Sequence, residues 1–116
     1  MNNQGDLYSK LDKYSNLDTI QNYIREVIDI RGFKNQPIEQ TVLLLIEEVG
    51  ELAKAIRKEK TNMTIDKNKI ANYDTVENEI ADVFIVLTSI CNTLNINLFE
   101  SILAKEKINI SRNWSE

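Results

Sequence analysis

Apolar side chains recur along most of this chain at intervals of three and four residues, the spacing of helices rather than strands. Ile20, Tyr23, Ile24, Val27, Ile28 and Arg31 trace a first predicted helix, which Asp18 can cap and Gly32 can stop by taking a left-handed backbone. Pro37 fits the first turn of a second helix reaching about Lys60, with Val42, Leu45, Val49, Leu52, Ala53 and Ile56 on one apolar face. Asp74 and Glu77 resemble a capping box for a third, which runs to about Leu94 with Val76, Ile80, Val83, Leu87, Ile90 and Leu94 as its buried stripe. Asn97 and Glu100 repeat that signal for a fourth, ending near Trp114. Two stretches break the pattern. Residues 1–16 are polar apart from Leu7, Tyr8, Leu11 and Tyr14, and form an N-terminal arm, loosely held or a short helix. Thr61 to Tyr73 is rich in Asn and Lys and reads as a connecting loop. The expected architecture is all-α, of the four-helix-bundle type, with one helical domain over residues 17–116.

Composition narrows the chemistry more than the fold. Only 3 Gly and 1 Pro interrupt 116 residues, too few turn formers for an all-β protein. The 14 basic and 18 acidic residues leave a net charge of −4, which argues against a nucleic-acid polymer as partner. Cys91 stands alone, so neither an internal disulfide nor a thiolate zinc site can form, and a free thiol fits a reducing compartment. With neither a secretory signal nor an 18-residue apolar run, a cytoplasmic protein without a membrane partner is expected. Histidine is absent, which removes Ser-His-Asp and Cys-His nucleophile systems and carboxylate–histidine di-iron bundles. Any chemistry falls to carboxylates, amines, guanidiniums, amides, hydroxyls and a metal they hold.

The carboxylates gather on two helices. At 100° per residue, Glu47, Glu48 and Glu51 lie within an arc of about 100° on the second helix, roughly opposite its main apolar face. Leu44 and Ala55 share that arc, so the helix is apolar nearly all round and should sit centrally, its acids aimed at protein or a cleft. On the third helix Glu79 falls inside the apolar stripe and Asp82 at its edge. Most acid runs are solvated faces, and Glu47 alone is as well explained that way. Glu79 is not, because an ionised carboxylate among Val and Ile costs several kcal/mol unless paired. If the two helices face each other, at least four carboxylates meet. Unit charges about 4 Å apart repel by roughly 4 kcal/mol at an effective dielectric near 20. Protons or divalent cations can relieve this, and an all-oxygen site favours Mg²⁺, with Mn²⁺ as a substitute. Mg²⁺ held by carboxylates keeps open positions for water and phosphate, which points to phosphoanhydride or phosphate-ester chemistry.

A basic stripe matches. Lys105, Asn109 and Arg112 are spaced i, i+4 and i+7 on the fourth predicted helix, a pattern suited to a polyphosphate and equally to an exposed flank. Trp114, Phe33 and Tyr73 are aromatic candidates for stacking on a base, although such residues more often serve a core or an interface.

The string Glu47-Glu48-Val49-Gly50-Glu51-Leu52-Ala53, followed by Glu79-Ile80-Ala81-Asp82, resembles the EExxE and ExxD signature of the MazG-like all-α nucleoside triphosphate pyrophosphohydrolases. Lys105, Asn109, Arg112 and Trp114 resemble that superfamily's C-terminal K-x-x-x-N-x-x-R region, and the likeness runs from about Ile20 to Trp114. The resemblance implies house-cleaning hydrolysis of a (d)NTP between the α and β phosphates, giving a monophosphate and pyrophosphate. It implies Mg²⁺ on Glu48, Glu51, Glu79 and Asp82, with Glu47 supporting those ligands or orienting the attacking water. It implies that Lys105, Asn109, Arg112 and Trp114 bind substrate. It also implies self-association, as a homodimer or homotetramer, with helices of two subunits completing one bundle. Phe33 departs from the Trp that relatives often carry, and the Thr61–Tyr73 segment holds no recognisable base-selecting motif. The alternative is a non-catalytic helical module that dimerises or holds a nucleotide without turning it over.

Overall fold

A computed structural model of the chain describes residues 3–68 and 73–115. Residues 69–72, within the expected connecting loop, lie outside the described residues. The described residues form five helices and no strand: α1 (Gln4–Ser9), α2 (Leu17–Ile30), α3 (Ile38–Lys60), α4 (Val76–Thr93) and α5 (Leu98–Asn109). The all-α class is as expected, and no single described helix is long and apolar enough to cross a membrane.

Local hydrogen bonds explain where each helix begins, and they correct two expected caps. Asn16, not Asp18, caps α2: its side chain accepts from the Thr19 backbone N–H at 2.8 Å, which leaves Asp18 in the first turn. Thr75 caps α4 in place of Asp74, its hydroxyl accepting from the Asn78 N–H at 3.1 Å. Asp74 instead accepts from the Thr75 N–H and the Asn78 side-chain amide. Asn97 caps α5 as expected, accepting from the Glu100 N–H at 2.8 Å. Gly32 stops the chain after α2 with φ of 90°, and Asn95 takes φ of 55° after α4, a conformation open to Asn because its short polar side chain tolerates it. The expected fourth helix is shorter than its pattern suggested. It ends at Asn109, so Arg112 and Trp114 lie beyond α5, where the Trp114 Nε1–H donates to the Asn109 carbonyl at 2.8 Å.

Backbone contacts divide the chain into two compact units. The first comprises Met1–Asn35 and Cys91–Glu116. In it α2 packs against α1 and α5, with Ile24, Val27 and Leu7 buried. Burying side chains of the Ile and Val class is worth about 1.5–3 kcal/mol each. Gln21, 3% exposed, is the polar centre of this unit. Its amide donates to Asn92 Oδ1 at 2.9 Å and to the Ile96 carbonyl at 2.8 Å, and its oxygen accepts from the Leu98 N–H at 2.9 Å. A buried amide satisfied on both ends fixes α2 against the turn that leads into α5.

The second unit is Gln36–Ile90, holding α3 and most of α4. Thr41, Ala55, Glu79 and Thr88 are buried in it. The expectation that α3 is enclosed on all sides does not hold in the single chain, because Val42, Leu43, Ile46, Val49 and Ile56 are each 40–63% exposed. The expected α4 stripe is likewise only partly covered: Ile80 and Leu87 are exposed, as is Leu94 in the other unit, while Thr88 is sealed. Periodicity reports which side of a helix is apolar and says nothing of what covers it.

Candidate metal centre

Glu48 stands midway along α3, and Glu79 and Asp82 stand three residues apart on one side of α4. Glu79 lies in the first turn of α4, where unpaired backbone N–H groups favour negative charge. Each of Glu48, Glu79 and Asp82 offers a carboxylate oxygen, and the three oxygens lie within 4.8 Å of one another. Glu79 is 5% exposed, and its Oε2 is buried without a hydrogen-bond partner among the described residues. An orphaned buried carboxylate oxygen costs about 1–3 kcal/mol or more, so it stands where a cation is wanted. The donor set fits a hard divalent cation.

Electrostatics agree with that geometry. Burial pushes the Glu79 carboxyl above its ordinary value, and the carboxylates of Asp82, Asp74 and Glu51 push it further, while the Lys54 ammonium partly offsets them. Glu48 is raised too, first by burial and then by Asp82, Glu79, Glu51 and Glu47. Asp74 moves the other way, lowered by the Asn78 amide and the Thr75 N–H.

These directions set a pH dependence. A carboxyl whose pKa is raised on folding holds its proton more tightly when folded, so its stability contribution is lost as pH climbs from the ordinary 4.5 through the raised value. The lowered pKa of Asp74 acts only below its ordinary 3.8 and drops out of that window. The melting temperature of the protein in a chelator is therefore expected to rise as pH is lowered from 7.5 to 5. Calorimetry on the wild type and on Glu48→Gln/Glu79→Gln checks this, since the double variant should lose most of the slope.

The remaining expected site residues fall in different places. Glu51 is outside the three-acid group and pairs with Lys54, whose Nζ lies 3.5 Å from its Oε2. This pair is partly exposed, and such pairs contribute about 0–1 kcal/mol, so exchanging it for a metal contact is cheap. Glu47 is exposed and outside the group. Lys105, Asn109, Arg112 and Trp114 belong to the first unit. There Lys105 and Asn109 lie on α5, and Arg112 follows it, its N–H donating to the Asn109 carbonyl. The Asn109 amide donates to Glu106 at 3.3 Å, while its Oδ1 is buried without a partner among the described residues. Phe33 is 48% exposed.

Tyr73 is the surprise of the second unit. Its ring, a candidate for stacking on a base, is covered by cations: Lys54 Nζ lies 4.7 Å and Lys58 Nζ 5.9 Å from its centroid. Its hydroxyl accepts from Arg57 Nη2 at 3.3 Å. The spacing of Lys54 and Lys58 was visible in the sequence as a continuation of the Glu47–Glu51 side of α3, but the phenol that gathers them was not.

The sequence model of the MazG nucleotide pyrophosphohydrolase domain matches residues 36–112, more than half of the chain. No curated protein and no solved structure matches it with significance.

Proposed function

This chain belongs to the MazG nucleotide pyrophosphohydrolase family, and from that premise we propose that it hydrolyses (d)NTPs between the α and β phosphates in a house-cleaning role. The products are a nucleoside monophosphate and pyrophosphate. The observation that carries the reading is Glu79: a sealed carboxylate with an orphaned oxygen, set within reach of Glu48 and Asp82. Glu48, Glu79 and Asp82 would hold Mg²⁺, or Mn²⁺ in its place, and Glu51 would join them on leaving Lys54. Held there, such an ion would lower the pKa of water and offset charge developing at phosphorus. Glu47, solvent-facing and next to Glu48, is free to orient the attacking water by accepting its hydrogen bond. Lys105, Asn109, Arg112 and Trp114 are proposed to bind the substrate. The exposed stripe on α3 is proposed to bury itself against a second copy, in a homodimer or homotetramer working in the cytoplasm.

A panel of dNTPs and NTPs with Mg²⁺ tests this. Equal amounts of pyrophosphate and monophosphate are expected, with full loss in a chelator. Release of orthophosphate instead would place the cut elsewhere, and no release from any member would return the chain to a non-catalytic binding module.

A further inference from the structure

We propose that Lys54, Arg57 and Lys58 of α3, gathered by Tyr73, form the subsite for the pyrophosphate portion of the substrate, an inference that rests on the hydrolase reading above. Four observations converge within one unit. Glu47, Glu51, Lys54 and Lys58 are spaced i, i+4, i+7 and i+11, so one side of α3 passes from acids to cations. The two halves touch: Lys54 is 3.5 Å from Glu51, at the edge of the acid group. Tyr73 then draws the cations together, with two ammoniums against its ring and the Arg57 guanidinium on its hydroxyl. Like charges are held near one another here, an arrangement that an anion would stabilise.

The fourth observation points to that anion directly. Arg57 Nε is buried and has no acceptor among the described residues, although a buried N–H without a partner is costly. Guanidinium donors match phosphate oxygens in pairs, and an ammonium adds a point charge beside them. Basic residues in a last helical turn also complement the helix dipole, and Arg57, Lys58 and Lys60 all stand in the last turn of α3. That role requires neither a shared phenol nor a buried Nε. In hydrolysis at the α phosphorus the β and γ phosphates leave together, and negative charge grows on the oxygen that departs. Lys54, in contact with Glu51 beside those carboxylates, is placed to receive that charge, with Arg57 and Lys58 following it along α3.

Isothermal titration of the full chain with inorganic pyrophosphate, in Mg²⁺, provides the test. Arg57→Met keeps the aliphatic stem and removes the donors, and Lys54→Met does the same on the more exposed rim. Each is expected to weaken pyrophosphate binding about tenfold or more, leave affinity for a nucleoside monophosphate unchanged, and raise KM for the triphosphate. Tyr73→Phe should lose less than Tyr73→Leu, because the ring is retained. Unchanged pyrophosphate affinity in both methionine variants, or a wild type that binds no pyrophosphate, overturns the subsite. Should Arg57→Met fail to fold, Lys54→Met and Lys58→Met decide the matter. Binding that depends on these cations in a protein that releases no pyrophosphate would keep the subsite and discard the hydrolase.

Discussion

Glu79→Gln is expected to make the metal-free protein more stable while lowering kcat/KM about a thousandfold, equivalent to roughly 4 kcal/mol of transition-state stabilisation. The two effects share one cause. Glu79 is 5% exposed, carries an oxygen with no partner among the described residues, and faces Asp82 and Glu48. Neutralising it removes a repulsion that the fold bears only because the cluster needs it. An uncompensated buried polar group costs about 1–3 kcal/mol, and each kcal/mol moves the melting temperature of a domain of 60–100 residues by roughly 4–8 °C. Several degrees of stabilisation at pH 7.5 in a chelator should therefore accompany the loss of turnover. Adding Mg²⁺ should reverse the ranking. A ligand at a hundred times its Kd stabilises the fold by about 2.7 kcal/mol, a gain open to the wild type and closed to the variant. Scanning calorimetry with and without Mg²⁺, beside a pyrophosphate assay, reads all three. A variant less stable than wild type in chelator would mean that Glu79 is a structural acceptor, and one with wild-type turnover would remove it from the reaction.

Ile46→Asp is expected to leave the protein monomeric and poorly active. Val42, Ile46, Val49, Ala53 and Ile56 follow one another by three or four residues, a continuous apolar seam along α3, and all are exposed in the single chain. Ile46 is the most open of the large ones at 63%. The proposal that a second copy covers this seam sets the size of the effect: a central residue within such a contact is commonly worth 2 kcal/mol or more, about thirtyfold in Kd. A charge placed there opposes association without disturbing the monomer's own core, because the side chain is not part of it. Light scattering across a concentration series reads the mass. An unchanged mass for the variant, or a monomeric wild type, would refute the proposal that α3 is the seam between copies.

How far the sequence could be read depended on whether the cause was local. The Asn97 cap on α5 and the Gly32 stop after α2 were legible because both act within a few residues. The buried Glu79 was legible because an acid at an apolar register position is anomalous in any context. Caps were misplaced where two acceptors compete within a residue or two, as with Asn16 against Asp18 and Thr75 against Asp74. The end of α5 was overrun because the Lys105–Asn109–Arg112 spacing is helical whether or not the backbone remains so. Gln21 was invisible, since its partners Asn92, Ile96 and Leu98 are 71 to 77 positions away. The same holds for Tyr73, whose meaning depends on three cations of another element.

The tether between the Trp114 indole and the Asn109 carbonyl has a practical side. This is the sole tryptophan of the chain. Its emission therefore belongs to one turn of backbone beside α5 and to no other place in the molecule. The protein carries a built-in fluorophore at the foot of that helix, and the state of this one joint is open to spectroscopy without any label.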